Sequence, residues 1–409
     1  MTEDHRSVVR RSIQPPSVSR PVVSPLWPSV VYRSTDADEL DQVYEGQVPG
    51  YTYAREGQPN NEILAAKIDW LEGRSDSAPP GVITSSGMAA VSALLLGLLH
   101  HGDHVAAGNQ LYGRSLRLMT QDLPRLGFTA SLFDPTDRAS LEATLTPVTK
   151  LILVEVVSNP TLRIADMEAI TEVAAERGLL VAVDNTFTTP RMYQPFRHGA
   201  DVVIHSVTKL LAGHADVTLG YIAATNAEQA RAINDAVVTW GLTPSPFDCW
   251  LAERGLHTFD LRYDRAEANA RAVADRLAGL SGVSSVLYPG RGDHPDQQRA
   301  VRLFGGRAGN MVSFTLRGER AEVNAFLRAA EHIPFAPTLG DVGTTIAHPA
   351  SSSHRALSPQ TRAELGMPEG FLRLSIGIED ESQLLAELTA AVEAATRISD
   401  GIHGRDPAR

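Results

Sequence analysis

The sequence predicts an α/β fold built on a mostly parallel sheet. The first observation is that short apolar runs alternate with helical segments between residues 81 and 201. Strands separated by helices pair in parallel, with helices on both faces of the sheet. The second is that polar residues gather directly after these runs, where ligands bind in open α/β sheets. The third is a change of pattern in the last third of the chain, which predicts a smaller α+β unit.

The predicted elements of the sheet follow in order along the chain. A polar, turn-rich loop at 51–60 precedes a helix at 62–72, for which Asn61 is the expected cap. Ala/Leu-rich or amphipathic stretches predict further helices at 88–99 and 167–177. Short apolar runs predict strands at 82–84, 104–107, 151–155, 179–183, 201–204 and 219–223.

The remaining segments complete a three-part organisation. Residues 1–50 begin with a proline-rich stretch, which is either a loose arm or a segment lying on a neighbouring subunit. We expect a large domain at 51–255 and a small C-terminal domain at 256–409. The elements predicted after the sheet are helices at 227–239, 247–280, 319–331 and 381–396, and strands at 283–287, 310–316 and 371–376.

The composition argues against several classes of function. A net charge of −11 disfavours nucleic acid or an anionic membrane as the main partner. The single cysteine, Cys249, and the polar N-terminus predict a cytoplasmic protein with no disulfide and no membrane span. No spacing of histidine or cysteine suits a metal site, so we expect none.

One lysine stands out, directly after the strand predicted at 201–204. Lys209 is the only lysine beyond Lys150, and it lies between the hydroxyl residues Ser206 and Thr208 and a Gly-His turn. On this stretch alone, a surface lysine at a strand end and an amine with a chemical role are both compatible with the pattern.

The other strand ends carry what a phosphorylated carbonyl cofactor requires if Lys209 forms a Schiff base with it. The turn Ser86-Gly87-Met88 opens a helix, whose free N–H groups and positive end suit a phosphate. Ser206 and Thr208 add hydroxyl groups, and Arg55 can add a bidentate contact.

The cofactor's ring has candidate partners too. Tyr112 can stack on a planar ring, Asn159 can bind a ring hydroxyl, and Asp184 can pair with a ring nitrogen and keep it protonated. Each residue has an ordinary structural explanation when it is taken singly, such as a turn, a helix cap or a core aromatic residue. Together they meet the requirements of pyridoxal 5'-phosphate (PLP).

These motifs, in this order, resemble the Cys/Met-metabolism PLP enzymes, a group that includes cystathionine γ-synthase, O-acylhomoserine sulfhydrylases, and cystathionine and methionine lyases. The resemblance covers about residues 45 to 395. The motifs are Tyr53-Ala54-Arg55, Ser86-Gly87-Met88, Leu111-Tyr112-Gly113, Asn159-Pro160, Val183-Asp184-Asn185-Thr186-Phe187, Ser206-Val207-Thr208-Lys209, Ala212-Gly213-His214, His348-Pro349-Ala350-Ser351 and Leu372-Arg373-Leu374-Ser375.

The resemblance implies PLP fold type I, which is the aspartate-aminotransferase-like fold, and a homotetramer of active dimers. It implies that residues 1–50 contact the neighbouring subunit and that Tyr53 and Arg55 reach that subunit's cofactor. Lys209, Tyr112 and Asp184 are the expected catalytic residues. The residues expected to bind substrate are Arg373, Asn159, Arg114, Arg117 and Thr338.

The function implied is γ-replacement on an O-acylhomoserine by a thiol, as in a cystathionine γ-synthase or a sulfhydrylase. The alternative is a γ- or β-eliminating lyase of a sulfur amino acid, which yields a 2-oxo acid and ammonia. An aminotransferase fits less well, because Ser-x-Thr-Lys with Ala-Gly-His is typical of the trans-sulfuration group. A module that binds PLP without catalysis fits less well, because the catalytic set is intact.

Two departures from the family's pattern bear on the reaction. Arg114 stands where methionine γ-lyases have a cysteine, which argues against that activity and suggests a contact with an anionic part of the substrate. Gly343 stands where the cystathionine enzymes have a glutamate. Without that carboxylate, cystathionine's distal ammonium has no evident partner, which disfavours a cystathionine lyase.

Overall fold

The computed structural model of the chain describes residues 19–355 and 357–403. Within these residues the chain forms a seven-stranded sheet followed by a four-stranded sheet. The mostly parallel large sheet and the smaller second sheet confirm the predicted fold class. No helix in the described ranges is both long enough and apolar enough to cross a membrane.

The large sheet is built from the first seven strands. Its order is β1-β7-β6-β5-β4-β2-β3, and all neighbours from β6 to β3 are parallel, whereas β7 is antiparallel to both of its neighbours. The strands are β1 (Val82–Thr84), β2 (His104–Gly108), β3 (Thr129–Phe133), β4 (Thr149–Glu155), β5 (Leu180–Asp184), β6 (Val202–His205) and β7 (Gly220–Ala224).

Helices cover both faces of this sheet, and a separate apolar cluster fills each face. The middle strands are apolar on both sides, as parallel strands between two helical layers must be. The helices up to the end of this sheet region are α1 (Ala37–Tyr44), α2 (Pro59–Leu71), α3 (Gly87–Leu98), α4 (Gly113–Arg117), α5 (Arg138–Thr144), α6 (Met167–Arg177), α7 (Thr189–Met192), α8 (Ala227–Thr239) and α9 (Pro246–Leu256).

The smaller unit has its own core. Its sheet is antiparallel in the order β10-β11-β9-β8, and helices α10, α12 and α14 pack against it. Its elements are α10 (Phe259–Ala278), β8 (Val283–Leu287), α11 (Gln297–Phe304), β9 (Met311–Leu316), α12 (Arg320–Ala329), β10 (Thr345–Ala347), α13 (Pro359–Glu364), β11 (Phe371–Ser375) and α14 (Glu381–His403).

Three details differ from the sequence-based expectation. The cap of α2 is Gln58, and Asn61 instead sits inside the first turn, where its side chain accepts the Gln58 N–H in a capping box. The helix expected at 247–280 is two helices, α9 and α10, which are separated at residues 257–258. Strands β3 and β10 and the short helices α1, α4, α5, α7, α11 and α13 were not predicted. The domain boundaries at 50 and 255 stay predictions.

The described part of the N-terminal arm lies on helices α2 and α9 of its own chain. The Trp250 indole donates to the Ser24 carbonyl at 2.9 Å, and the Asn60 side chain donates to the Pro25 carbonyl at 2.9 Å. Val22 and Val23 are largely exposed. Residues 1–18 lie outside the described residues, and contact of the arm with a neighbouring subunit stays a prediction.

The register of the parallel strands determines which side chains meet at the site. Asp184, the last residue of β5, is opposite Glu155, the last residue of β4, and next to Ile204 of β6. The carboxyl ends of these strands therefore lie at one edge of the sheet, and Lys209 follows β6 by four residues.

Candidate active site

A cavity of about 250 Å³ opens at the carboxyl edge of the large sheet, against the small unit. Strand ends of the large sheet form its inner wall, and the segments around residues 337–353 together with Arg373 close it from the other side. The predicted site residues that line it are Ser86, Gly87, Met88, Tyr112, Asn159, Asp184, Ser206, Thr208, Lys209, Thr338 and Arg373.

The N-terminus of α3 forms one end of the cavity. Ser86 caps the helix by accepting the Ala89 N–H at 3.1 Å, so the N–H groups of Gly87 and Met88 precede the helical hydrogen bonds. A Cβ on Gly87 would lie 2.8 Å from the Ser206 Cβ, so only glycine lets this helix end approach that closely. Two backbone donors, the Ser206 hydroxyl and the positive end of α3 thus face one spot, which suits a phosphate.

Thr208 is close to this end, but its hydroxyl is engaged with the backbone. Thr208 Oγ1 donates to the Leu219 carbonyl at 3.1 Å and accepts the Leu219 N–H at 3.0 Å. These bonds tie the loop after β6 to the start of β7. Thr208 therefore holds the loop that carries Lys209 in addition to lining the cavity.

Asp184 supplies a carboxyl group at the inner wall. Burial raises the pKa of Asp184, while hydrogen bonds from Thr186 and the charge of His205 act in the opposite direction. The Thr186 N–H donates to Asp184 Oδ1 at 3.1 Å, and Thr186 Oγ1 accepts the Ser206 N–H at 2.7 Å. Thr186, which the sequence analysis did not single out, thus links the Asp184 carboxyl to the loop containing Ser206.

Lys209 extends into the same cavity. Its Nζ donates to Thr338 Oγ1 at 3.4 Å. Burial lowers the pKa of Lys209, and the positive charge of Arg373 lowers it further. Both causes disfavour the ammonium form, so the neutral amine is available closer to neutral pH than on a free lysine.

Arg373 is a buried cation on β11, fixed by the large sheet and by the neighbouring loop. It donates to Asn159 Oδ1 at 2.7 Å and to the Thr338 carbonyl at 2.6 Å. Its Nε is buried without a partner among the described residues, and burial lowers the pKa of the guanidinium to about 10. Since neither of these hydrogen bonds is to a carboxylate, the site suits an anion from outside the chain.

Tyr112 stands at the start of α4, and its side chain is 44% exposed. Its N–H donates to Glu155 Oε1 at 2.6 Å, which fixes the backbone that carries the ring. Glu155 lines the cavity, but the sequence analysis gave it no role, although it ends a predicted strand as Asp184 does. Thr218, Ser352 and Ser353 also line the cavity without having been predicted.

Four predicted residues do not line the cavity of the single chain. Arg114 and Arg117 are exposed on α4, and Arg117 pairs with Asp122 at 3.4 Å. Arg55 pairs with Glu56 at 3.4 Å and lies over the Tyr53 ring, 5.6 Å from its centre. Their predicted contacts with substrate, and with the cofactor of a second subunit, stay predictions.

Comparison with known proteins assigns this site to a family. The pattern of the family described as Cys/Met metabolism PLP-dependent enzyme matches residues 6–393. The chain belongs to this family. Its cofactor is PLP, and its members are transferases or lyases of sulfur amino acid metabolism.

Similar proteins within the family carry different reaction names. The chain is 37% identical to a cystathionine gamma-lyase of Bacillus subtilis, an alignment that covers 85% of this chain and 90% of that protein. It is also 37% identical to an O-succinylhomoserine sulfhydrylase of Pseudomonas aeruginosa, over 90% of this chain and 89% of that protein. An L-methionine gamma-lyase of Pseudomonas putida is 34% identical over 91% and 93% of the two chains.

The fold agrees with these matches. The crystal structure of cystathionine gamma synthase from Xanthomonas oryzae pv. oryzae superimposes with a TM-score of 0.86 at 38% identity. The superposition covers 92% of this chain and 94% of that chain. Fold type I is therefore confirmed, whereas several reactions are represented among similar proteins.

The residues of the cavity fit the family's cofactor. A donor-rich helix end lies at one side, a buried carboxyl group at the inner wall and a lysine amine between them, as a phosphate, a ring nitrogen and an aldehyde require. Among residues 19–355 and 357–403, no group of three or more His, Cys, Asp or Glu side chains is arranged to hold a metal ion.

Proposed function

We propose that the protein catalyses γ-replacement on an O-acylhomoserine, exchanging the acyloxy group for a thiol. The observation that carries the proposal is the character of the cavity wall away from Asp184. There the lining residues other than Arg373 are uncharged and include Tyr112, Pro349, Ser352 and Ser353. Such a wall accepts an ester more readily than a second ammonium group, which needs a carboxylate partner.

The surroundings of Gly343 support this choice. The nearby carboxylate of Glu379 accepts hydrogen bonds from the backbone N–H and the hydroxyl of Thr344, and Asp341 accepts the Val342 N–H at 2.7 Å. Neither carboxylate lines the cavity. No acidic side chain therefore replaces the glutamate that the cystathionine enzymes have at the position of Gly343.

We propose that PLP binds with its phosphate at the start of α3 and its ring nitrogen at Asp184. The N–H groups of Gly87 and Met88 and the hydroxyl of Ser206 would hold the phosphate, with Tyr112 stacked on the ring. When bound there, the cofactor supplies an electron sink for charge that develops at the substrate's α-carbon.

The chain's own groups then account for binding and proton transfer. Arg373 would bind the substrate α-carboxylate with its guanidinium, which Asn159 and Thr338 already orient. Once free, the neutral amine of Lys209 would take the α-proton, because burial and the charge of Arg373 lower its pKa and so favour the unprotonated form. Lys209 and the Tyr112 phenol, which both line the cavity, would then serve proton transfer at Cβ and departure of the γ-substituent.

A product assay tests the proposal directly. The purified holoenzyme is given O-acetyl- or O-succinylhomoserine with and without methanethiol, and thioether and 2-oxo acid are quantified separately. We expect the thioether as the main product with methanethiol, and a slower release of 2-oxo acid without it. A rate of 2-oxo acid formation from cystathionine or methionine that exceeds thioether synthesis would assign the protein as a lyase instead. Lys209→Ala is the inactive control.

We also propose that the active unit contains two subunits, within a homotetramer. Tyr53 and Arg55 are exposed in the single chain and do not line its own cavity, and the residues that line the phosphate end include no arginine. A second copy can supply this cation. The same arrangement would cover the exposed valines of the N-terminal arm.

A further inference from the structure

Glu155 is a second carboxyl group at the inner wall of the cavity, beside Asp184. The two residues end adjacent parallel strands and are partners in register. Side chains in register on neighbouring strands point to the same face of a sheet, and such strands lie about 4.8 Å apart. Both residues line the cavity.

The two oxygens of Glu155 have different surroundings. Oε1 accepts the backbone N–H of Tyr112 at 2.6 Å. Oε2 is buried and has no hydrogen-bond partner among the described residues. A carboxylate oxygen in that position would be an unpaired buried charge, whereas a protonated oxygen is a neutral donor.

The neighbouring charges show which member of the pair keeps the proton. Burial raises the pKa of Glu155 well above its usual range, and the charge of Asp184 raises it further, against one opposing hydrogen bond from Tyr112. For Asp184, hydrogen bonds from Thr186 and the charge of His205 oppose the effect of burial. Two adjacent carboxyl groups do not both ionise easily, so the charge falls on Asp184, which has more hydrogen bonds and a nearby positive charge to stabilise it.

Among the residues that the structure describes, no cation pairs directly with Glu155. Arg163 borders the small cavity behind Glu155, but its guanidinium is bound to Asp296 at 2.6 and 3.0 Å. On the side of the active site, Lys209 contacts Thr338, and Arg373 contacts Asn159 and the Thr338 carbonyl. Asp184 is thus the one charged neighbour that shifts the titration of Glu155.

We propose that Glu155 is a positioning residue that remains a neutral carboxylic acid in the folded protein. Its Oε1 fixes the backbone of Tyr112, and its Oε2 presents an O–H donor, so that Asp184 is the only full negative charge facing the cofactor ring. Asp184 alone would balance the positive charge of a protonated ring nitrogen, and a second carboxylate at this wall would oppose the negative charge that the ring would have to accept. The inference rests on the proposed placement of PLP, and it holds for replacement and elimination alike.

Two substitutions separate charge from shape. Glu155→Gln keeps an acceptor for the Tyr112 N–H and a neutral donor in place of the O–H. Glu155→Ala removes both. Affinity for PLP is measured by equilibrium dialysis of the apoproteins. We expect Glu155→Gln to bind PLP within about threefold of the wild-type affinity and Glu155→Ala to bind it about tenfold or more weakly, since the Tyr112 N–H loses its buried acceptor.

Thermal unfolding of the apoproteins gives a readout without cofactor or turnover. A raised folded-state pKa means that the stability contributed by protonated Glu155 is complete below the ordinary carboxyl pKa and is lost as the pH rises through the folded value. Glutamine does not titrate. The Tm of Glu155→Gln minus that of the wild type should therefore increase by about 2 °C or more from about pH 5 to about pH 8.

Asp201→Asn is a matched control away from the site. The Asp201 carboxyl also accepts a backbone N–H, from Val181 at 2.8 Å, and burial raises its pKa. This variant should leave PLP affinity unchanged. A PLP affinity in Glu155→Gln as low as in Glu155→Ala, or a Tm difference independent of pH, would overturn the proposal. Failure of the wild-type apoprotein to bind PLP would instead refute the proposed cofactor placement.

Discussion

Replacing Arg373 with leucine removes the cation that we assign to the substrate carboxylate while filling most of its volume. In the structure this guanidinium is 6% exposed, and its contacts are an amide oxygen and a backbone carbonyl. Neither contact is a carboxylate. The variant therefore tests whether the buried charge of Arg373 serves to bind the substrate.

The expected loss of activity follows from two charge-assisted hydrogen bonds. Each such bond contributes about 1.5–3 kcal/mol, so losing a bidentate contact to the substrate carboxylate costs about 3–6 kcal/mol in the transition state. We therefore expect kcat/KM for an O-acylhomoserine to fall by about 10²- to 10⁴-fold. PLP affinity should change little, because Arg373 faces the substrate and not the phosphate end.

The expected stability change is small and serves as the control for folding. A pKa lowered to about 10 by burial corresponds to a cost of about 3 kcal/mol for keeping this cation in the folded protein. Leucine relieves that cost but leaves Asn159 Oδ1 and the Thr338 carbonyl without a donor, at about 1–3 kcal/mol each. The two effects nearly cancel, so the Tm of the apoprotein should stay within a few degrees of the wild-type value.

The same variant reports on Lys209. The charge of Arg373 is one of the two causes that lower the pKa of Lys209, so its removal raises that pKa. The amine of Lys209 then loses its proton at a higher pH. The rate at which the apoprotein combines with PLP should therefore increase at a higher pH in the variant than in the wild type. Stopped-flow absorbance measures this rate. Retention of kcat/KM within threefold, or a pH profile that does not move, would refute the reasoning.

Two further predictions concern residues outside the cavity of the single chain. Mixing Arg55→Ala with Lys209→Ala subunits under exchange conditions should restore up to about a quarter of wild-type activity. About half of the dimers are then mixed, and one of the two sites in each mixed dimer is intact. Activity no higher than the sum of the separate variants would show that Arg55 does not act across subunits. Arg114→Ala should lower kcat/KM for O-succinylhomoserine relative to O-acetylhomoserine by about two- to fivefold, the contribution of an exposed ion pair. An unchanged ratio in competition assays, with Arg125→Ala as the exposed control, would leave Arg114 without a role in selectivity.

Much of the inner site could be predicted because its residues stand at strand ends. Lys209, Asp184 and Ser86 each follow an apolar run, and the carboxyl ends of parallel strands meet at one edge of a sheet. The role of Glu155 was missed for a related reason. It ends a strand too, but its position beside Asp184 depends on strand order and register, which an apolar run does not specify.

The elements that were missed have weak local signals. Strand β3 lies at the edge of the sheet, and its burial is irregular, so Thr129 and Leu132 are exposed and no continuous apolar run marks it. Strand β10 has only three residues. The contact between Arg373 and Asn159 joins positions 214 residues apart in the two units, and its geometry depends on how those units pack. Arg373 and Asn159 were identified as site residues from the resemblance to a family, whereas hydrophobic periodicity did not identify them.

The arrangement of the site separates what all family members must do from what distinguishes them. In the proposed arrangement, the donor-rich start of α3 and Asp184 would hold the phosphate and the ring of the cofactor. Lys209 and Arg373 would meet the α-amine and the α-carboxylate that every amino-acid substrate shares. Replacement and elimination use these groups in the same way until the γ-substituent has left. The difference between them therefore has to lie in the wall that meets the γ-substituent and the incoming nucleophile, formed by Tyr112 and the segments at 337–339 and 347–353. In this protein the side chains of that wall are uncharged, so their charge excludes neither water nor a thiol. Its shape and its closure over the site decide which nucleophile arrives first, which gives a physical reason why similar proteins carry the names of both lyases and synthases.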